Sequence, residues 1–190
     1  MDRDRIIDIF EKTGAMLTGH FLLTSGRHSD RYFQCAQVLQ HPDHCRVLCR
    51  ELAARFASGG VETVIGPAMG GIIISYEVAA ALGARSLFTE RENGKMTLRR
   101  GFTISQGERV LVVEDVVTTG GSVKEVIEVV RELGGHVVGA GVLVNRSGGD
   151  AQLGVRMESL LEIPAVSYSP DQCPLCSKGI PYVKPGSRKV

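Results

Sequence analysis

The chain has 190 residues, a length that suits one α/β domain with a single core. Its composition, 43% apolar and 23% charged, argues against intrinsic disorder, and a net charge of +1 provides no global field that would recruit nucleic acid. No apolar run approaches the roughly 18 residues that span a bilayer. The charged N-terminus lacks the apolar core of a signal peptide, so the sequence predicts a cytoplasmic protein with no membrane partner.

Hydrophobic patterning predicts helices and strands that alternate along the chain. Such alternation is typical of an α/β fold with a parallel sheet and right-handed crossovers. The predicted elements are a short helix at 6–10, a strand at 21–24, a helix from Pro42 to Gly59-Gly60, a strand at 61–65, a helix at 72–82, a strand at 86–88, a strand at 110–113, a helix that begins at Ser122 as N-cap and ends at Gly134-Gly135, and a strand at 136–144.

The five cysteines do not predict a disulfide framework, because their number is odd and no export signal is present. Cys173 and Cys176 have the spacing of half a zinc site. No second pair has matching spacing, although Cys45 and Cys49 lie one helical turn apart and could be core residues or ligands. Reduced thiols in a C-terminal turn are the favoured interpretation. The alternative is that two copies of the chain each supply one cysteine pair to a shared metal.

Residues 109–122 carry the most informative pattern of the chain. A continuous apolar run at 110–113 predicts a buried strand, which ends in two adjacent carboxylates. The carboxylates can accept hydrogen bonds from ribose hydroxyls, and the glycine- and hydroxyl-rich loop at a helix start favours a phosphate. An ordinary strand-loop-helix with exposed acids is the alternative. The predicted sugar-phosphate cradle consists of Glu114, Asp115, Val116, Val117, Thr118, Thr119, Gly120, Gly121 and Ser122.

Two further segments are candidates for binding a diphosphate. Residues 66–71 also follow a strand and precede a helix, so their backbone N–H groups could bind an anion, although a plain βα turn is an alternative. Residues 90–100 contain Asn93-Gly94, a strong hairpin turn, and four cations. This hairpin is either a solvated surface element or a mobile arm that closes over the anion. In a parallel sheet, the loops at 66–71, at 115–122 and after Asn145 should meet at the carboxyl ends of the strands.

The 109–122 stretch closely resembles the ribose-phosphate signature of the type I phosphoribosyltransferases. Residues 21–33 resemble the base-binding segment of the orotate-using branch of that family, and the likeness covers nearly the whole chain. The resemblance implies one α/β domain over 1–190, with a parallel sheet flanked by helices. It also implies a small N-terminal hood (1–40), a flexible hairpin arm (89–102) and a C-terminal extension (165–190).

The resemblance also implies an activity, which is Mg²⁺-dependent transfer of ribose 5-phosphate from phosphoribosyl diphosphate to orotate in pyrimidine biosynthesis. Thr118 and Arg146 are expected to contact orotate, whose carboxylate a guanidinium can bind through two hydrogen bonds. A homodimer is expected because in the family the arm often serves the neighbouring subunit. The other residues that the resemblance assigns to substrates are Thr24, Ser25, Tyr32, Phe33, Pro67, Ala68, Met69 and Gly70, with Arg91 and Lys95 in the arm.

The sequence departs from the family pattern at several positions. Many members have lysine where Thr24 and Gly70 stand, a lysine-histidine arm in place of residues 95–100, and an Asp-Asp pair where Glu114-Asp115 stands here. Two other functions are alternatives: a purine-type phosphoribosyltransferase, and a nucleic-acid-binding regulator that has lost catalysis. The intact carboxylate pair and the small net charge argue against the regulator.

Overall fold

A six-stranded, mostly parallel sheet forms the centre of the structure, a computed structural model that describes residues 1–23 and 25–185. The pair β4–β5 is antiparallel and the other neighbouring pairs are parallel. The predicted α/β class is therefore confirmed, with β5 as the second strand of the predicted hairpin and β8 as an addition that the patterning did not predict. In spatial order the strands are β5 (Lys95–Leu98), β4 (Arg85–Glu92), β3 (Thr63–Pro67), β6 (Arg109–Val117), β7 (His136–Asn145) and β8 (Met157–Glu162).

Helices cover both faces of this sheet. On β6, Val110 and Val112 pack in the same cluster as α5, whereas Leu111 and Val113 pack in the cluster that contains α1, α3 and α4. Side chains alternate between the two faces of a strand, so a strand buried on both faces is continuously apolar, as 110–113 is. The helices are α1 (Arg3–Lys12), α2 (Ala36–Leu39), α3 (Pro42–Ala54), α4 (Gly70–Leu82), α5 (Gly121–Glu132) and α6 (Pro174–Ser177).

The order of the strands places a topological switch point between β3 and β6. From β3 the chain passes through α4 to β4 on one side, and from β6 it passes through α5 to β7 on the other side. Ligands of open α/β sheets bind in the crevice outside the carboxyl ends of the strands at such a point. The loops at 66–71 and 118–122 follow these two strands and therefore border that crevice.

A separate two-stranded hairpin lies outside the main sheet. It pairs β1 (Met16–Leu22) with β2 (His28–Phe33) in antiparallel fashion. The C-terminal segment packs on it, since Tyr168 exchanges backbone hydrogen bonds with His28 and Val183 pairs beside Phe21. The strand predicted at 21–24 is thus the end of a longer strand, and Thr24 lies outside the described residues.

Two turn positions predicted from the sequence are found in the structure, and one predicted helix cap is not. Asn93 and Gly94 have φ of 51° and 83°, as the predicted two-residue hairpin turn requires. Gly134 has φ of 86° just after α5, at the predicted stop. The N-cap of α5 is Gly120, with φ of 80°, and the predicted N-cap Ser122 is the second residue of the helix. Among the described residues, no helix is long and apolar enough to cross a membrane.

Candidate active site

The two carboxylates lie inside strand β6, because β6 continues to Val117 and does not end at the apolar run. Glu114 is buried and Asp115 is partly exposed. The Asp115 N–H donates to Glu114 Oε1 at 3.1 Å, and the Val116 N–H donates to Asp115 Oδ1 at 2.8 Å. Burial raises the pKa of Glu114, and the neighbouring charge of Asp115 raises it further. These surroundings therefore favour the neutral, hydrogen-donating form of Glu114.

A cavity of about 330 Å³ opens where β6 passes into α5. Thr118 and Thr119 are exposed at its edge, and Gly120 and Gly121 turn the chain into the helix. Gly120 has a φ of 80°, which favours glycine, and a Cβ atom there would also lie 2.8 Å from Leu153 Cδ2. The first turn of a helix has N–H groups without helical partners and a partial positive charge, which suit a phosphate. The lining residues are Arg91, Glu114, Val116, Val117, Thr118, Thr119, Gly120, Gly121, Ser122, Val123 and Glu125.

The loop at 66–71 packs directly against the carboxylates. A Cβ atom on Gly70 would lie 2.9 Å from Asp115 Oδ2, and one on Gly66 would lie 2.6 Å from the Gly71 carbonyl oxygen. Pro67 is buried, and Ala68 and Met69 are exposed at the tip of the loop. Two of the three loops predicted to meet at this edge of the sheet therefore do so. Gly70 leaves room for Asp115 at a position where a longer side chain would displace it.

Arg146 brings the third loop to the site. Its backbone N–H donates to the Val117 carbonyl oxygen at 2.7 Å, and its guanidinium carbon lies 4.9 Å from the centre of the Phe33 ring. The side chain is half-buried, and burial lowers the pKa of Arg146. Its Nε is buried and has no hydrogen-bond partner within residues 1–23 and 25–185. A guanidinium placed in this way is prepared to pair with an anion that enters the site.

Cys35 belongs to the same site, although the sequence assigned it no role. The thiol is buried two residues after Phe33, and burial raises its pKa well above the usual value. The charges of Asp115 and Glu114 raise this pKa further, whereas Arg146 lowers it. Cys35 is thus a neutral side chain that lies within the electrostatic influence of the carboxylates and of the guanidinium. A single cysteine in an apolar stretch carries no sequence signal for such a position.

The arm brings one of its two predicted cations to the cavity. Arg91 lines the cavity and donates two hydrogen bonds to the Glu125 carboxylate on α5, both at 2.8 Å. Lys95 lies instead along a groove with Glu125, Glu128 and Glu132 on the same helix. The remaining arm cations pair with acids of β4: Arg100 with Glu90 at 2.8 Å, and Arg99 with Glu92 at 3.3 Å.

The other residues predicted to bind the base lie in the hairpin β1–β2. Ser25 is exposed in the turn between the strands, and the Tyr32 ring lies 5.9 Å from the Phe21 ring. Phe33 is buried beneath the Arg146 guanidinium, so the structure brings these two predicted base-binding residues together.

Comparisons with known proteins agree with this geometry. The phosphoribosyl transferase domain family matches residues 34–153, and the chain belongs to the phosphoribosyltransferase family. Its full-length relatives include the orotate phosphoribosyltransferases of Pelotomaculum thermopropionicum, at 72% identity, and Desulforamulus reducens, at 70% identity, each over 100% of both chains. The crystal structure of orotate phosphoribosyltransferase from Aeropyrum pernix has a TM-score of 0.70 at 31% identity and covers 83% of this chain and 93% of that chain.

Proposed function

We propose that this chain is an orotate phosphoribosyltransferase, which transfers the ribose 5-phosphate of phosphoribosyl diphosphate to N1 of orotate. The products are orotidine 5′-monophosphate and diphosphate, in a step of pyrimidine biosynthesis. Curated relatives that carry this name span the full chain at 72% and 70% identity. The observation that carries the proposal is the buried Nε of Arg146, which has no hydrogen-bond partner in the described part of the chain and belongs to the residue that follows β7.

Arg146 determines which base the enzyme accepts. Orotate carries a carboxylate, and a guanidinium fork binds a carboxylate through two parallel hydrogen bonds. Adenine and hypoxanthine have no carboxylate, so their binding would leave a half-buried cation unpaired at a cost. The Phe33 ring beneath Arg146 holds the guanidinium plane in place. Thr118, Ser25, Tyr32 and Thr24 are proposed to complete the contacts to orotate, with Thr24 outside the described residues.

Glu114 and Asp115 hold the ribose. The protonated Glu114 donates a hydrogen bond to one ribose hydroxyl, and the charged Asp115 accepts from the other. As the bond to diphosphate breaks, positive charge develops at the anomeric carbon. The fixed negative charge of Asp115 stabilises this charge more in the transition state than in the bound substrate.

The two glycine-rich loops hold the two ends of phosphoribosyl diphosphate. Residues Thr118 to Ser122 bind the 5′-phosphate at the start of α5. The backbone of Pro67, Ala68, Met69 and Gly70 faces the diphosphate from the neighbouring strand end. Arg91, which already lines the cavity, supplies positive charge to the leaving diphosphate, and Lys95 adds to it when the arm moves.

The donor chemistry of the site fits Mg²⁺. Asp115 offers a partly exposed carboxylate next to the diphosphate loop, and Mg²⁺ prefers oxygen ligands while it retains several waters. Glu114 suits the metal less, because its raised pKa favours the neutral form. A Mg²⁺ ion held there by Asp115 would supply positive charge to the leaving diphosphate.

The homodimer, the cytoplasmic location and the division into hood, arm and extension stay predictions. A homodimer is supported by apolar side chains exposed on and just before α4: Met69 is 82% exposed, Tyr76 68% and Ile73 44%. Burial of such a row against a second copy would remove it from water. The mass of the protein in solution tests this proposal.

The activity is tested by mixing the protein with Mg²⁺, phosphoribosyl diphosphate and orotate and following the loss of orotate absorbance. Uracil, adenine and hypoxanthine are offered in parallel as competing bases. Turnover with orotate alone supports the proposal. Turnover with a purine base and none with orotate would assign the chain to the purine-type enzymes instead.

A further inference from the structure

Four side chains with metal-binding atoms converge where the hairpin β1–β2 meets the C-terminal segment. They are His20 on β1, His28 on β2, and Cys173 and Cys176 around α6, and their ligand atoms all lie within 4.8 Å of one another. Three of these side chains are buried, each with an exposed fraction of 3%: His20, His28 and Cys173. The fourth, Cys176, is exposed at the surface. The cluster is separate from the site that binds orotate and phosphoribosyl diphosphate.

The distances match the edges of a zinc tetrahedron. Bonds of about 2.0–2.1 Å to nitrogen and about 2.3 Å to sulfur place ligand atoms about 3.4–3.8 Å apart. Cys173 Sγ lies 3.4 Å from His20 Nε2, and Cys176 Sγ lies 3.8 Å from the same atom and 3.2 Å from His28 Nδ1. The two ring nitrogens are 2.7 Å apart, so a bound ion requires them to separate by about 0.7 Å.

The surroundings of His20 also suit a metal ligand. Its Nδ1 lies 2.7 Å from the Ile180 carbonyl oxygen, to which it can only donate. In a neutral imidazole ring, the proton on Nδ1 leaves Nε2 without a proton. The lone pair of Nε2 is then available to a metal ion bound by the other three side chains. Metal-bound histidines are commonly oriented in this way by a backbone carbonyl. The Tyr182 ring, 5.8 Å from His20 and 5.1 Å from His28, covers the cluster from the side.

The fold assembles the four ligands from distant parts of the chain. Between the pairs Thr18–Arg31 and Phe21–Ser29, β1 has one residue more than β2, a bulge that re-aims the side chain of His20. Backbone pairing at Tyr168 and Val183 holds the C-terminal segment on the hairpin. The second half of the zinc site is therefore two histidines of the same chain. The sequence spacing that reveals the two cysteines cannot reveal histidines that precede them by 153 and 148 residues.

We propose that His20, His28, Cys173 and Cys176 bind one structural Zn²⁺ ion. A Cys₂His₂ set is typical of zinc, and four protein ligands leave no open position for catalysis. The ion joins the C-terminal segment to the hairpin that presents Phe33 to the active site. The other cysteine pair does not take part, because Cys45 and Cys49 are buried in the core with their sulfur atoms 3.9 Å apart on α3.

The test measures zinc and protein together. The full-length chain is purified without chelators, stripped of metal, and titrated with Zn²⁺, and then with Co²⁺, whose visible spectrum reports tetrahedral thiolate coordination. We expect about one zinc per chain and a higher unfolding temperature with zinc than without it. Cys176→Ser and His20→Ala should each weaken zinc binding at least about 10-fold.

Matched controls separate this cluster from other histidines and cysteines. His41→Ala removes an exposed histidine and Cys45→Ala removes a core thiol, and both should still bind about one zinc per chain with unchanged affinity. Cys176 is exposed, so Cys176→Ser keeps the core intact even where a buried variant fails to fold. Failure of the stripped wild-type protein to take up zinc, or equal uptake by Cys176→Ser, would overturn the proposal and show a hydrogen-bonded cluster of thiols and imidazoles. Neither result depends on catalytic activity.

Discussion

In the proposed function, recognition of the base depends on the side chain of Arg146. Replacing it by alanine removes the partner of the orotate carboxylate, and we expect Arg146→Ala to weaken orotate binding by about 2–5 kcal/mol. The affinity for phosphoribosyl diphosphate should change little, because the phosphate cavity is lined by other residues. The measurement is the KM for each substrate, or calorimetric titration with orotate.

Arg156→Ala is the matched control for this variant. Its guanidinium also lies over a ring, 5.7 Å from the centre of Phe56, but on the far strand of the sheet. Loss of the contact between Arg156 and Phe56 in this variant should leave the KM for orotate at the wild-type value. An unchanged orotate KM in Arg146→Ala would show that the carboxylate is bound elsewhere.

Asp115 should matter for the rate rather than for binding of the base. Asp115→Asn keeps the shape of the side chain and removes the charge that stabilises the developing oxocarbenium ion. We expect kcat to fall by about 10²-fold or more while orotate affinity stays near wild type. Steady-state kinetics with Asp150→Asn, a change in an exposed loop, provide the comparison. Near-wild-type turnover of Asp115→Asn would contradict the assigned role.

The sequence predicted the residue types of this site but not their protonation. Adjacent acids, a hydroxyl- and glycine-rich loop and an arginine after the last predicted strand are visible as a pattern. The raised pKa of Glu114 depends on burial and on the neighbouring Asp115, and the burial exists only after folding. The positions of Cys35, His20 and His28 depend on contacts between distant segments in the same way.

The arm is held to α5 by a contact that competes with the substrate. Glu125 occupies Arg91 through two hydrogen bonds and lines the same cavity as the phosphate loop. We expect Glu125→Gln to lower the KM for phosphoribosyl diphosphate by about 2–5-fold, because it frees Arg91 and removes a repelling charge. Arg91→Ala should raise the same KM and lower kcat. The pair is exposed, so both effects should shrink as salt is added.

Glu132→Gln is the control for Glu125→Gln, since Glu132 is also an acid of α5 but does not line the phosphate cavity. Its kinetics should match those of the wild type at every salt concentration. An equal change in both variants would show that the total charge of α5, and not the contact with Arg91, sets the affinity.

Helices and strands were predicted where the sequence has a clear apolar pattern. They were missed where a segment forms a strand only because a neighbouring strand pairs with it. The helices α3 and α5 each bury one apolar face, α4 is a long apolar segment between glycines, and the sequence located all three. Strand β2 contains Ser29, Asp30 and Arg31 and has no apolar alternation, so it forms because β1 pairs with it. Strand β6 extends beyond its apolar run because β7 continues the pairing as far as Val117 and Asn145. Pairing of this kind cannot be seen in a local pattern.

Burial of Glu114 in the active site lowers the free energy of unfolding of the protein at neutral pH. The pKa of Glu114 is raised on folding, so the unfolded chain releases a proton more readily, and stability falls as pH rises through the unfolded pKa of about 4.3. Glu114→Gln mimics the neutral carboxyl without this cost. It should be more stable than wild type at pH 7 by about 1–3 kcal/mol, a gain that disappears below about pH 4. Urea unfolding at both pH values measures it, and a gain that is equal at the two pH values would contradict the assignment.

Glu108 has the opposite effect at the other end of β6. Burial alone would raise its pKa, but hydrogen bonds from the Ser105 N–H, the Thr63 hydroxyl and the Arg85 guanidinium outweigh burial and lower the pKa to about 2. These contacts join β3, β4 and the segment before β6, with the Ser105 N–H at 2.7 Å. The folded state therefore gains stability from the charged form above the unfolded pKa of about 4.3, and it loses this stability as pH falls toward 2.

Glu108→Gln should accordingly destabilise the protein by about 1–3 kcal/mol at pH 7, because it weakens contacts to a buried carboxylate. The difference in the free energy of unfolding between Glu108→Gln and wild type should become smaller as pH is lowered from about 5 to 3. The difference between Glu114→Gln and wild type should also disappear in this pH range. Catalytic rates should be unaffected, since Glu108 lies at the amino end of the sheet and the substrates bind at the carboxyl end. A constant difference across this pH range would show that the contribution of Glu108 comes from packing and not from its charge.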